Sequence, residues 1–400
     1  NGNKYHGEWK NGKSHGKGKY IFKNGNTYIG DFSNGKENGK GVFTYSNGEK
    51  YEGDFQNGKR TGMGIFSFKN GNKYEGEFWN GIKNGTGKYK YPNGNLYEGD
   101  WKDDNRHGQG IFTYTNGAFY NGEWSNGLIH GYGIYNYANG DVYEGDFIEG
   151  MMHGWGHYKF NNGNEYHGQW ENDKMEGQGI YTSAVGNSYE GYFSDGRLDG
   201  PGSFRSYLGE TYVGDWLAGR MHGRGLYIFA NGSRYEGEWS NDKRTGYGIY
   251  NYANGSAYEG YFNNGRREGK GNYKNINGDI YNGDWKNNRM EGKGTYFFKN
   301  GDVYIGEWMH GMRNGQGVLS FSEGKKYKGY FFQNKINGEG TMSYSDGKTF
   351  EGNWVDGSME GRGVYYDLIG NSYEGQWKNN NFNGKGTFKY SNGDVYEGEW

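Results

Sequence analysis

Tyrosine returns every 23 residues along this chain, from Tyr5 through Tyr28, Tyr51 and Tyr74 to Tyr396, with Phe350 standing in once. The 18 copies run without an insertion or deletion. A fixed period in this range is the mark of stacked like units, each needing its neighbours to bury its apolar face. Taking the Tyr as position 0, glycine is invariant at +2, +11, +13 and +20, and it fills +7 in 11 repeats. All 81 glycines lie on these five positions. The exceptions at +7 are Asp104, Asp173, Asp242, Asn288, Asn334 and Asn380. Gly, Asn and Asp are the residues that tolerate positive φ, so +7 reads as a left-handed turn position.

Around that turn the pattern alternates with period two. Tyr51-Glu52-Gly53-Asp54-Phe55 precedes Asn57-Gly58, and Gly62-Met63-Gly64-Ile65-Phe66-Ser67-Phe68 follows it. Asn-Gly between alternating runs is the strongest short hairpin signal. Each repeat therefore reads as a hairpin with one aromatic-and-glycine face and one charged or mixed face. A plain two-residue turn would set the Tyr opposite the +13 Gly and leave the other two strand glycines facing each other. Rings would then lie flat on bare backbone. Gly53, Gly58, Gly62, Gly64 and Gly71 are the turn and strand glycines of one such unit. No window has helical period, and glycine this frequent penalises a helix. A second Gly-bearing turn at +19/+20, as in Asn47-Gly48, leads to the next hairpin.

The expected fold is all-β: an elongated, solenoid-like, single-layer antiparallel sheet of about 17 stacked 23-residue hairpins. It forms one continuous array over residues 1–400. At ~4.8 Å per strand it would span roughly 160 Å. Val185-Gly186 and Leu208-Gly209 break the Asn-Gly habit, as does Ile369-Gly370 later, and Pro201 cannot donate a ladder hydrogen bond. Weakened pairing or a bend is expected at 183–210.

Composition removes several classes of function. Aromatics make up 19% of the chain, too many for a flexible Gly-rich linker. Two Pro and no Cys exclude collagen, disulfide frameworks and Cys-ligated metal sites. A mean hydropathy of −1.16 with no long apolar run argues against a transmembrane helix. Lys and Arg total 45 against 47 Asp and Glu, so the basic excess of a nucleic-acid binder is missing. The chain opens without Met or a leader-like segment, and it reads as a cytosolic piece of a longer protein.

Tyr97-Glu98-Gly99-Asp100-Trp101 with His107-Gly108-Gln109-Gly110, and Tyr51-Glu52-Gly53-Asp54-Phe55 with Asn57-Gly58-Lys59 and Gly62-Met63-Gly64, resemble the MORN (membrane occupation and recognition nexus) repeat. The resemblance covers essentially the whole chain. It implies an extended sheet of hairpins without enzymatic activity. It also implies scaffolding at cytoskeletal or ciliary structures, self-association, and contact with membrane or phosphoinositide. The lipid kinase, methyltransferase and membrane anchor that some family members add have no counterpart in this sequence.

Apparent site motifs dissolve into the repeat. Gly7-Glu8-Trp9-Lys10-Asn11-Gly12-Lys13-Ser14 fits the phosphate-loop pattern, but both glycines belong to the +2 and +7 positions and a strand should follow, not the helix that phosphate binding needs. His15, His107, His130, His153 and His222 share position +10. Successive rungs would stand ~10 Å apart, too far to share a zinc ion. Position +3 is Asp or Glu in 12 of 18 copies, which reads as a solvated face paired with Lys at +12 and Lys or Arg at +8. Asn84, Asn231 and Asn254 fit the N-glycosylation pattern but are turn residues. No nucleophile, base and orienting group stand apart from the repeat, so no enzyme, metal or cofactor is expected.

The aromatic face is the candidate site. Tyr97, Trp101, Phe112, Tyr114, Tyr120, Trp124, Tyr135, Tyr137, Tyr143, Tyr235, Trp239, Tyr250 and Tyr252 fall on one side of a sheet with nothing behind it. The +4 Trp and Phe serve as core, and a strip of rings from +15 and +17 is left to receive a protein partner or a second copy. The expected role is a non-enzymatic cytoplasmic scaffold, cytoskeletal or ciliary, docking partners along this face. The alternative is a peripheral phosphoinositide-binding or tethering module. One locally basic repeat supports it, with Lys325, Lys326, Lys328 and Lys335 beside Tyr330, Phe331 and Phe332.

Overall fold

A computed structural model describes residues 2–400. Every repeat contributes a seven-residue outgoing strand and a nine-residue return strand, as in Lys50–Gln56 and Lys59–Ser67. The chain divides into two compact units, 2–198 and 199–400. Within the first, outgoing strands lie antiparallel between the return strand of the preceding repeat and that of their own; Lys50–Gln56 lies between Lys36–Thr44 and Lys59–Ser67. The second repeats the arrangement, with Arg234–Ser240 between Arg220–Ile228 and Lys243–Asn251. The division falls inside 183–210. The ladders on either side are in register: Lys174–Thr182 pairs with Ser188–Ser194, and Arg197–Arg205 pairs with Thr211–Leu217, Pro201 opposite Asp215.

Turn chemistry explains the hairpins. Asn57 (φ 53°) and Gly58 (φ 84°) both adopt positive φ, the type I′ geometry whose twist matches that of the flanking strands. The same holds where the sequence offers less suitable residues: Glu149, Ala218, His310 and Gln333 all sit at φ between 45° and 53°. The far turn is closed by Phe68 N–H to Asn72 O and Gly71 N–H to Phe68 O.

The strand register differs from the plain hairpin. Gln56 faces Lys59, Phe55 faces Arg60 and Asp54 faces Thr61, but Gly53 then faces Gly64 and Tyr51 faces Phe66. Two extra residues, Gly62 and Met63, are accommodated in the return strand. Tyr is therefore opposite +15, not +13, and the paired glycines are +2 and +13. The bulge has its own support. Gly62 takes φ 56°, and in equivalent repeats the +3 carboxylate turns back to accept the +12 N–H: Gln109 N donates to Asp100 Oδ2 (2.9 Å) and Lys293 N to Asp284 Oδ2 (3.0 Å). Gln169 does the same for Gln178 N (2.8 Å). The acidic column thus caps backbone as well as facing water. Part of the expected ion pairing is present too, since Lys40 at +12 reaches Asp54 at +3 of the next repeat (2.8 Å).

Repeats are joined at both edges as well as through the ladder. Each of the six Asp or Asn residues at +7 accepts the +9 N–H of the preceding repeat; Met221 N to Asp242 Oδ1 (2.9 Å) and Arg313 N to Asn334 Oδ1 (2.8 Å) are examples. On the other edge Ser46 N donates to Asn26 Oδ1 and Ala184 N to Asn164 Oδ1. Gly7–Ser14, the phosphate-loop lookalike, is an ordinary hairpin turn, with Lys13 opening the strand Lys13–Ile21.

Candidate functional site

The ring face is built on the glycine pair. A Cβ placed on Gly64 would lie 2.4 Å from Tyr51 Oη, and one on Gly53 would lie 2.5 Å from Gly64 Cα. The Tyr ring therefore occupies the volume the two missing side chains vacate. Its hydroxyl donates to the +3 carbonyl, Tyr51 to Asp54 O at 3.0 Å. Its edges meet the +4 ring of its own repeat and of the next, Phe55 at 5.1 Å and Phe78 at 5.0 Å, both edge to face. The phenol is fully buried, and that burial pushes its pKa far above the ordinary value. In most repeats with Trp at +4, the indole N–H donates back to the preceding +13 carbonyl, as Trp124 Nε1 does to Gly110 O (3.1 Å).

Position +9, unremarked in the sequence, forms a lid over these rings. Arg60 lies over Phe66 (4.9 Å), Lys83 over Trp101 (4.2 Å), Arg106 over Trp124 (4.2 Å) and Arg267 over Trp285 (4.1 Å). Their charged heads bond outward, as Arg244 Nη2 does to Gly265 O (3.0 Å). Desolvation lowers the pKa of Lys83. Elsewhere Met152 and Leu198 take the same place and are buried. Cations and apolar side chains alternate there because both cover a ring: a desolvated cation–π contact is worth about 2 kcal/mol, comparable to burying a large apolar group.

Of the 13 aromatic residues singled out, Tyr97, Tyr120, Tyr143 and Tyr235 have no exposed surface, and Trp101, Trp124, Trp239 and Phe112 are buried. These eight are the interior of the ring layer. Tyr114, Tyr135, Tyr137, Tyr250 and Tyr252 are half-buried. They belong to a ladder of +15 and +17 rings, with Phe112–Tyr114 at 4.6 Å, Tyr114–Tyr135 at 6.1 Å, Tyr135–Tyr137 at 4.4 Å and Tyr250–Tyr252 at 4.4 Å. Surface for a partner on this face comes from these five.

The four lysines are not brought onto one surface. Lys325 lies on the ring face over Phe321 (4.3 Å) and pairs with Glu323 (2.6 Å). Lys335 pairs with Asp356 (3.1 Å). Lys326 and Lys328 are exposed on the opposite face. That opposite face carries more exposed apolar area than its charged pattern suggests, including Ile29, Met63, Tyr132, Trp155 and Tyr247. In the first four repeats it forms an open groove of about 810 Å³ whose lining includes Lys17, Lys19, Lys40, Glu52 and Glu75. Among the described residues no cluster of His or carboxylate side chains has the spacing of a metal site, and no helix is long and apolar enough to cross a membrane.

Several solved structures show a remote likeness. The TCP domain of SAS-4 (dCPAP) from Drosophila melanogaster, in complex with a proline-rich motif of Ana2 (dSTIL), is 14% identical; the match covers 44% of this chain and 90% of that one, with a TM-score of 0.24. The TCP10 domain of Danio rerio CPAP, in complex with a STIL peptide, is 11% identical over 78% and 98% of the two chains, with a TM-score of 0.15. Virginiamycin B lyase from Staphylococcus aureus is 10% identical over 61% and 83%, with a TM-score of 0.12. Scores this low carry no argument about function. No curated protein matches the sequence. The MORN repeat profile, in contrast, matches 17 successive segments, from 5–27 through 189–207 to 373–395. With a glycine-seated tyrosine, or its Phe350 equivalent, recurring along the matched segments, the chain belongs to the MORN repeat family.

Proposed function

We propose that this chain is a non-enzymatic docking scaffold of the cytoplasm, acting at cytoskeletal or ciliary structures and holding protein partners along its ring face. The observation that carries this reading is the half-exposed ladder of +15 and +17 rings, repeated from hairpin to hairpin on a floor of buried Tyr and Trp. A rigid, amphipathic aromatic strip loses little conformational entropy on contact, and such rings dominate binding energy at interfaces. Repetition adds avidity without requiring a deep pocket.

Tyr114→Ala combined with Tyr137→Ala tests it. Both rings project from the ladder without seating on the glycine pair, so circular dichroism should be unchanged while capture of partners by the purified chain falls. Undiminished capture with the fold intact would remove the ring face from the account. The phosphoinositide alternative rests on Lys326 and Lys328, since carboxylates neutralise Lys325 and Lys335. Liposome flotation with and without phosphoinositide, at low and high salt, separates it. Flotation that needs the lipid and disappears with salt would favour it over the protein scaffold.

A further inference from the structure

On the face opposite the rings, one stretch of the first unit departs from its neighbours in two ways at once. Elsewhere on this face, three +12 lysines neutralise the +3 carboxylate of the next repeat: Lys17–Asp31 (2.6 Å), Lys40–Asp54 (2.8 Å) and Lys270–Asp284 (2.5 Å). Between residues 97 and 192 that position is Gln109, Tyr132, Trp155 and Gln178. The exchange leaves Tyr132 and Trp155 about half exposed, at 51% and 49%. It also strips the carboxylates of their cations. Among the described residues, no ion pair joins Asp100, Glu123, Glu144, Asp146 or Glu190 to a Lys or Arg; Glu98, at the edge of the stretch, is paired with Lys88 of the preceding repeat (2.8 Å). The four central columns of this face, +1, +3, +12 and +14, contain no Lys or Arg anywhere in 97–192.

Pairing aligns the surface into rows that cross the strands. Ile111 faces Glu98 and Asn121, Ile134 faces Asn121 and Glu144, and His157 faces Glu144 and His167. Ile180 faces His167 and Glu190 and completes the row. Ile111 and Ile180 are exposed along it, and Tyr192 is exposed in the neighbouring row opposite Gln178. A parallel row sets Gln109 against Glu123, Tyr132 against Asp146 and Trp155 against Gln169. Glu98, Glu144 and Glu190 recur every four strands, about 19 Å apart, with apolar groups between them, and the row runs ~38 Å.

We infer that this strip docks a basic, apolar-containing peptide segment of a partner protein, laid across the strands. An exposed aromatic and aliphatic patch of this extent marks an interaction surface, and its uncompensated carboxylates fix the sign of the occupant. Anionic membranes and nucleic acid are repelled by the same charges. An extended chain rises ~3.3–3.6 Å per residue, so about 11 residues cover the row. The inference builds on the docking-scaffold reading but uses the other face, so the two fail separately.

The test is fluorescence anisotropy of a labelled peptide of about twelve alternating Lys and Leu residues against the full chain. Its Glu–Leu counterpart serves as control, at low and high ionic strength. Binding of the Lys peptide alone is expected, weakening with salt. Tyr132→Ala with Trp155→Ala should weaken it at least about tenfold. Glu144→Gln with Asp146→Asn should flatten the salt dependence. Glu351→Gln with Glu374→Gln, the same charge change in the second unit, should not. Tyr114→Ala with Tyr137→Ala, on the ring face, should leave the affinity unchanged. Equal binding of the two peptides, absence of binding, or indifference to the Tyr132/Trp155 change would overturn the inference.

Discussion

The seating of Tyr51 on Gly53 and Gly64 makes the sharpest prediction. Gly64 has ordinary extended backbone, so nothing in its φ demands glycine; the demand comes from the ring alone. A methyl group there would sit 2.4 Å from Tyr51 Oη and 2.5 Å from Cε2. A flexible side chain could yield, but this ring is enclosed, with Phe55 and Phe78 against its edges and Arg60 above. Gly64→Ala must therefore expel it. Exposing a large apolar side chain costs about 1.5–3 kcal/mol. Loss of two edge-to-face contacts costs about 0.5–1.5 kcal/mol each, and loss of the hydroxyl bond to Asp54 O about 1 kcal/mol. Allowing for overlap between these terms, about 4 kcal/mol is expected, or roughly 10³ in an opening equilibrium. Gly48→Ala is the reference. Its added methyl meets nothing within 4 Å, and only its φ of 93° penalises it, which costs about 1–2 kcal/mol.

Repeats open locally, so the readout is native-state hydrogen exchange over 50–67 in place of a global melt. Gly64→Ala should accelerate exchange there far more than Gly48→Ala does over its own hairpin. Coupling gives the stricter check. In a Tyr51→Ala background the Gly64→Ala penalty should nearly vanish, because the ring it collides with is gone. Gly53→Ala should stay costly there, because its methyl would strike Gly64 Cα and Met63 O. Additive effects of Gly64→Ala and Tyr51→Ala would refute the seating argument.

Other consequences follow from the turns and the titrating groups. Ala218→Gly relieves a φ of 49° at the first turn residue and should slow exchange over 211–228, a gain of roughly 1 kcal/mol. Asp242→Ala removes the acceptor for Met221 N–H and should cost about 1 kcal/mol at that repeat junction, with Asp242→Asn close to neutral. The Lys17 ammonium holds the Asp31 carboxyl below its usual range. Protection of the Lys40 amide, which donates to Asp31 Oδ2, should be constant above about pH 4 and lost as pH falls through the lower folded value; Asp31→Asn should abolish that dependence. Burial pushes the phenols of Tyr304 and Tyr327 up to about 12, so their contribution is complete below pH ~10 and lost as pH rises through the folded value. Phenolate absorbance should show a late phase accompanying unfolding, whereas a single step near pH 10 with the fold intact would contradict the burial.

Much of this architecture is legible in the spacing. Asn57-Gly58 reads directly as a positive-φ turn, and alternation around it places Tyr51, Gly53 and Phe55 on one face. The two-residue bulge is not legible by the same route. An even insertion preserves parity, so Tyr51 opposite Gly64 and Tyr51 opposite Phe66 satisfy the alternation equally well. The signal that distinguishes them is the joint pattern of Gly at +11 with an acceptor at +3, which makes sense once Asp100 is seen bonded to the Gln109 amide. The lid at +9 escaped for another reason. Arg60 and Met152 share no polarity, and only their common place across from the +4 ring unites them.

That contrast bears on where function resides. The positions that set the backbone tolerate almost nothing: a single inserted residue would turn every later side chain to the wrong face, and a methyl at +2 or +13 would unseat a ring. On the face opposite the rings, selection on partners therefore acts through the columns that the backbone does not use. At +12 the side chain points away from the rings, and its amide, not its side chain, supports the bulge. Lys40, Tyr132 and Trp155 can replace one another there without disturbing the fold, while changing local charge and exposed apolar area together. Binding on the face opposite the rings should accordingly track the +1, +12 and +14 residues of particular repeats. Exchanging those columns of 97–180 for their counterparts from 5–88 should move a partner's preference without moving the strands.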